Sequence, residues 1–449
     1  MAVVLLGGPG LASLPSTLLL AAAYVALAVA LLGGGLTRSL VLRLTVPVLG
    51  LALVRPPMQS HDVWSYVMYG RIVSTHHANP YIRAPGSFAG DPFIRRIDPM
   101  WRQTRSVYGP LFTGWSALIT WVAGNHILLL RLGFQLTALA TVLATAWLLD
   151  RRSGGDPRVL ALVLLNPLVV FSLVNDAHVD AVVGLAVLAA VLLLERRRPA
   201  AAGAALAVGF LVKVFALLPA GAIGIWLLAR RERWKWLAPY SLALVIVITA
   251  GLALGGGRTS LKPVADSSTR VSTTSVWAVP NRATTDAALR AGDPPATARS
   301  DATHRYSRVA SVLVLLATIA LALLWADEAV PIVAAGSAVL AYMVLGAYAY
   351  PWYVAAGLFA VALRPDALVT RLLVVHGALL QLAEVPGRQF PIFVGRSVRL
   401  PDPAWHLFIR TTVVPVADIV LIGVLVAAVV RRRLRRARGV PELVGDRRE

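Results

Sequence analysis

Residues 196–233 read RRRPAAAGAALAVGFLVKVFALLPAGAIGIWLLARRER. Two arginine clusters, one ending at Arg198 and one starting at Arg230, bracket about 30 apolar residues broken only by Lys213. A membrane-spanning helix takes roughly 20 apolar residues. Arginine clusters beside such helices mark the cytoplasmic side. Both clusters want that side, so one span cannot join them. Two short helices meeting near Lys213 fit, and they place Lys213 deep in the membrane or near its outer face.

The rest of the chain extends the pattern. Apolar runs recur from Ser16 to the run starting at His406. Of 449 residues, 57% are hydrophobic and 14% charged, with mean hydropathy +0.71. A soluble domain carries about 25% charged residues, so the expected fold is an all-α polytopic membrane protein with about 13 transmembrane helices. Long external loops with short interfacial helices complete it. The first run lacks a positive leader, which favours a retained anchor over a cleaved signal peptide. Arg38 and Arg43, Arg151–Arg152, Arg196–Arg198, Arg230–Arg233 and the tail from Arg431 to Arg438 read as cytoplasmic. Segments 55–108, 255–307 and 385–405 then lie outside. Residues 1–430 form one membrane domain without internal repeats, and 431–449 a basic cytoplasmic tail. One interval resists this scheme. Residues 109–150 hold two apolar runs where an odd number of crossings is needed, so one segment there is split or re-entrant.

The net charge is +21, from 43 Lys+Arg against 22 Asp+Glu. The basic residues border apolar spans rather than lining a soluble face, which argues against a nucleic-acid partner. There are no cysteines, which excludes a disulfide scaffold and thiolate metal sites. Gly33–Gly35 and Gly255–Gly257 lack the lysine pattern of a nucleotide phosphate loop.

The densest polar-aromatic cluster is the first external loop: Ser60-His61-Asp62-Val63-Trp64-Ser65-Tyr66, Tyr69-Gly70-Arg71, Asn79-Pro80-Tyr81, Asp98-Pro99-Met100-Trp101 and Tyr108-Gly109-Pro110-Leu111. Residues Asp62 to Val73 can form a short amphipathic helix at the interface. Asp62 falls in its first turn, where the helix dipole favours a carboxylate. It is either a general base or a helix cap, with Ser60 as a competing cap. Asp91 and Asp98 precede proline and read as turn residues. Asp176, His178 and Asp180 stand just outside an apolar run. They suit a polar helix entrance, or a site for a sugar, a phosphate or a divalent ion. Tyr350, Trp352 and Tyr353 can stack on sugar faces or form an interfacial belt. Trp277, His304 and Tyr306 of the second long loop are weaker candidates for acceptor contact.

The first-loop string resembles that of actinobacterial polyprenol-phosphate-mannose-dependent alpha-1,6-mannosyltransferases, members of the GT-C superfamily that build lipomannan and lipoarabinomannan backbones. The likeness covers residues 60–115 and continues more weakly through Asn175–Asp180, Lys213 and Tyr350–Tyr353. It implies a GT-C-like bundle in the plasma membrane and an inverting glycosyltransferase with its site on the outer face. It also implies a polyprenyl-phosphate sugar donor and a glycan or glycolipid acceptor. Asp62 matches the family's catalytic aspartate, and with that its catalytic reading overtakes the capping one. The leaving phosphate needs cations. Lys213 is the leading candidate, against snorkelling to the interface, followed by Arg71, Arg388 and Arg396, with His178 as a possible phosphate partner. His61, Tyr66, Asp176, Asp180, Tyr350, Trp352 and Tyr353 are the candidates for sugar or acceptor contact. The resemblance fixes no cofactor, and a divalent metal stays open. The competing function is a transporter or flippase of a lipid-linked sugar. Transporters place ionisable groups near the bilayer midplane on broken helices, and only Lys213 with its helix pair fits that.

Overall fold

The computed structural model describes residues 14–267, 269–384 and 403–437. Arg388, Arg396, most of the expected loop 385–405 and the last part of the basic tail lie outside the described residues. Among these residues the fold is entirely helical. In chain order the helices are α1 (Leu14–Leu32), α2 (Arg38–Val54), α3 (Asp62–Ser74), α4 (Pro110–Ala123), α5 (Ile127–Ser153), α6 (Pro157–Leu164), α7 (Asp180–Glu195), α8 (Pro199–Val212), α9 (Leu217–Leu228) and α10 (Trp234–Leu254). They continue as α11 (Lys262–Ser267), α12 (Ala278–Arg290), α13 (Pro295–Leu324), α14 (Ile332–Leu345), α15 (Ala355–Val361), α16 (Leu368–Glu384), α17 (Ala404–Phe408) and α18 (Val414–Ala437). Four helical stretches are long and apolar enough to cross a membrane: Ile127–Ser153, Arg231–Leu254, Pro295–Leu324 and Ala404–Leu434. A fifth is the pair of α6 and the π-helical turn Val169–Asn175, bent by 54°. Leu242, Val245, Ile246 and Leu254 of α10 are exposed, as side chains that face lipid are. The chain is a helical membrane protein.

Local signals set the helix limits. Proline occupies the first turn of α4, α6, α8 and α13, where its missing N–H costs nothing. Thr37 caps α2 by accepting from the Leu40 amide, and Asp156 caps α6 by accepting from the Arg158 amide. Lys213 leaves the helical region, with φ −154° and ψ 130°, and separates α8 from α9. Gly203 of α8 lies against the Tyr240 carbonyl of α10, 2.1 Å from where a Cβ would sit, and Gly251 of α10 lies against Leu211. These two contacts make α8 and α10 parallel neighbours, and α9, which joins them in the chain, packs chiefly against α14 and α13. The expected pair of short helices with Lys213 at the tip is therefore what forms.

Ion pairs gather the arginine clusters at one pole: Arg38–Asp150 at 2.8 Å, Arg152–Glu195 and Arg158–Asp366 at 2.5 Å, Arg230–Asp327, and Arg364–Glu328 at 3.8 Å. The long loops occupy the other pole. α4 accounts for the extra apolar run in 109–150. It packs parallel to α3, with Tyr66 against Phe112 near the start of both helices and Gly70 touching the Ser116 carbonyl. At its far end Arg71 of α3 binds the Gly124 carbonyl and Asn125. Arg71 is itself bound to Asp91 of the first loop, so α4 stays against the loop it left, and α5 alone runs to the arginine pole. α3 begins at Asp62 as expected but is not a surface helix. Every residue from Val63 to Ile72 is buried, because α4, α5 and the turn Pro85–Ser87 pack on it, with Trp64 stacked on Phe93 and under the Arg96 guanidinium.

Candidate active site

Asp62 is the first residue of α3. The Ser60 hydroxyl accepts from the Asp62 amide at 3.2 Å in a turn leading into the helix, and the N-cap residue His61 makes no side-chain cap bond. The Asp62 carboxylate is about one quarter exposed. Its Oδ2 lies 3.5 Å from the Tyr108 hydroxyl, which donates to it, and 3.5 Å from His178 Nδ1. Burial, then the nearby Tyr66 and Asp62, push the Tyr108 phenol well above the ordinary tyrosine range. Burial likewise raises Tyr69, and raises Tyr81 to about 12. These phenols are donors at neutral pH, which leaves a carboxylate as the base among them.

Asp62 opens on a cavity of about 400 Å³. Its lining includes cationic and aromatic side chains, Lys213, Arg270, Trp101, Tyr348, Tyr350 and Tyr353. It also includes apolar ones, Val214, Phe215, Leu218, Val264, Val314 and Leu315. The Lys213 ammonium lies 2.8 Å from both oxygens of Asp180 and 4.1 Å from the centre of the Tyr353 ring. The Arg270 guanidinium lies over Trp101 at 4.3 Å. Such a wall suits a ligand with an anionic head, a sugar and a hydrocarbon tail.

Several expected site residues sit elsewhere. Arg71 is buried on Asp91 at 2.9 Å, with His76 at 2.7 Å from the same carboxylate. It does not line the cavity, because an arginine on a helix buried all round needs an internal anion. Tyr66 is fully buried against Tyr108, Phe112 and Phe134, so it is core rather than a sugar contact. His61 Nδ1 meets the Arg96 carbonyl at 3.0 Å. Asp176, His178 and Asp180 are all fully buried and diverge. Asp176 accepts from the Met58 and Gln59 amides, Asp180 holds Lys213, and His178 stacks on Trp352 at 3.7 Å. Their alternation therefore builds no common pocket, and no group of three His, Cys, Asp or Glu residues that could hold a metal ion occurs among the described residues. Trp352 lines the cavity by its edge, since His178 and Tyr350 stack on its faces at 3.7 and 4.6 Å. Trp277, His304 and Tyr306 are outside the cavity wall, and Trp277 donates to the Leu345 carbonyl.

Arg270 and Tyr348 were not legible as site residues. Arg270 is one arginine among several in a polar loop, and only the meeting of both long loops over Trp101 singles it out.

Residues 10–230 match the family described as alpha-(1->6)-mannopyranosyltransferase, N-terminal domain. The span contains Asp62, Asp176, His178, Asp180 and Lys213. The chain is 28% identical over 255 residues to alpha-(1->6)-mannopyranosyltransferase A of Mycobacterium tuberculosis, covering 52% of this chain and 48% of that protein. It is 27% identical over 168 residues to alpha-(1->6)-mannopyranosyltransferase A of Corynebacterium glutamicum, covering 36% of this chain and 33% of that protein. The chain thus matches from a third to about half of the length of these relatives. The family resemblance read from the first loop is borne out.

Proposed function

We propose, for a chain whose residues 10–230 match the N-terminal domain of the alpha-(1->6)-mannopyranosyltransferases, a membrane mannosyltransferase. It moves a mannosyl residue from polyprenyl-phosphate mannose to a hydroxyl of a glycan or glycolipid acceptor. The observation that carries this reading is the Asp62 carboxylate, which opens on a cavity lined by cations, aromatic rings and apolar side chains.

In this reading the acceptor hydroxyl gives its proton to Asp62 as its oxygen attacks the anomeric carbon. The bond from that carbon to the phosphate oxygen breaks, and polyprenyl phosphate leaves with inversion. A phosphate is a good leaving group, so a second carboxylic acid is not needed as it is in glycoside hydrolysis. Arg270 and Lys213 hold the phosphate, Tyr350 and Tyr353 border the sugar, and the apolar wall takes the start of the lipid tail. Lys213 keeps a net role despite Asp180, since an ammonium has three donors.

The arginine pole belongs to the cytoplasm, which puts the site at the outer face and the C-terminus inside. The bundle then makes thirteen crossings of GT-C type, provided the two short limbs α8 and α9 each count as one. At 1.5 Å per residue α8 covers about 21 Å, so Lys213 lies within the outer leaflet or at its rim.

The test is transfer from radiolabelled polyprenyl-phosphate mannose by the purified chain in proteoliposomes. The expected result is product formation by the wild type and a loss of about 10²–10⁴-fold in Asp62→Asn, the range for a general base. Equal turnover in both removes Asp62 as the base. Donor movement across the bilayer without glycosidic product favours a flippase instead.

A further inference from the structure

We infer that Asp176–Ala177–His178 is a brace that positions Asp62, with Asp176 acting through the backbone and His178 through the carboxylate. The inference rests on the reading of Asp62 as the base, and neither residue touches the reacting atoms. The argument starts from the chain that delivers Asp62. Between α2 and α3 it is irregular, yet Pro57, Gln59 and Ser60 are buried. Buried amides need internal acceptors. Asp176 Oδ1 supplies one to Met58 N at 2.9 Å and Gln59 N at 3.0 Å. Asn175 Oδ1 also accepts from Met58 N at 3.0 Å, and its Nδ2 donates to the carbonyls of Ala52 and Arg55. Gln135 of α5 donates to the Arg55 and Asn175 carbonyls at 3.0 and 2.7 Å. The segment is thus pinned within two residues of Ser60, whose hydroxyl accepts from the Asp62 amide.

Ala177 has φ +56°, a left-handed conformation costly for a residue with a Cβ. That turn lets consecutive polar residues face different ways. Asp176 points back to the loop amides, and His178 points forward to Asp62, 3.5 Å away. His178 is itself fixed against Trp352 at 3.7 Å. Strain of this kind persists where surrounding contacts over-determine it. Asp176 and His178 do not line the cavity, which distinguishes them from groups that hold substrate.

The experiment measures kcat and donor KM with polyprenyl-phosphate mannose for the full chain in proteoliposomes, with Asp62→Asn as reference. Asp176→Asn keeps the acceptor oxygen and stays within a few-fold of wild type. Asp176→Leu keeps the volume without an acceptor and loses about 10²-fold in kcat, the size expected of a 1 Å misplacement, with donor KM unchanged. His178→Phe keeps the stack on Trp352, removes the nitrogen facing Asp62, and loses about tenfold in kcat at unchanged KM. This variant decides the matter even where Asp176→Leu does not fold. Wild-type kcat in His178→Phe, a rise in KM instead of a fall in kcat, or equal losses in Asp176→Asn and Asp176→Leu overturns the brace. An active Asp62→Asn removes the general-base reading itself. An inactive Asp62→Asn beside fully active brace variants removes only the brace.

Discussion

Arg71 and Arg270 both belong to loops expected outside the membrane, and their surroundings give them different work. Arg71 is buried with Asp91, which also accepts from the Phe93 amide. Arg71→Ala leaves the buried Asp91 carboxylate with His76 and the Phe93 amide but without its arginine, so it costs about 3 kcal/mol of stability, the low end for breaking a buried pair. A lowered thermal midpoint checks this. Arg270 lies in the cavity wall over Trp101. Arg270→Ala leaves the midpoint near wild type and raises donor KM by about tenfold or more, the scale of one charge-assisted contact at about 1.5–3 kcal/mol. Unchanged donor KM removes Arg270 from the phosphate site. At this scale the sequence was partly legible. Asp62 stood out because carboxylates are scarce in so apolar a chain and it opens a helix at the membrane border. Tyr66 lies four residues further on and is wholly core. A buried helix and an interfacial one share the same residue types, so sequence could not separate them.

The α8–α9 hairpin shows what a helix break can do. The two arginine clusters required a return, and Lys213 is where the backbone turns extended. What the sequence did not disclose is the partner, because Asp180 lies 33 residues away on α7. Asp180 is fully buried, so Lys213→Met leaves an unpaired buried carboxylate and costs about 3–5 kcal/mol. The double variant Lys213→Met with Asp180→Leu removes both charges and regains most of that stability, since a buried pair can be replaced by apolar side chains at little cost. Transfer activity stays low in the double variant if Lys213 holds the phosphate. Thermal midpoints and donor KM for the two variants separate the two roles. Recovery of both stability and activity makes the pair structural only. α4 teaches the complementary lesson. Its apolar run looks like a span, yet Arg71 holds the turn after it at the loop pole, and a contact between distant residues leaves no periodic trace in the sequence.

Across the whole molecule, the +21 charge resolves into two poles. Ion pairs bind the arginine clusters at one end, and the loops that frame Asp62 occupy the other. The order of apolar runs and basic clusters made this polarity legible before any contact was known, but not the direction of each run. That direction can be measured, because the chain contains no cysteine and any introduced thiol is unique. His126 is exposed at the turn between α4 and α5, and Arg196 is exposed just after α7. If α4 stays at the loop pole and only α5 crosses, His126→Cys reacts with a membrane-impermeant maleimide added outside intact cells. Arg196→Cys then reacts only after permeabilisation. The opposite pattern at both sites inverts the molecule and moves Asp62 to the cytoplasmic face, where a lipid-linked donor displayed outside cannot reach it. Protection of His126→Cys alone makes α4 a true crossing. α3 and the loop that caps it would then have to leave the outer rim, and the cavity beside Asp62 could not be assembled from both long loops.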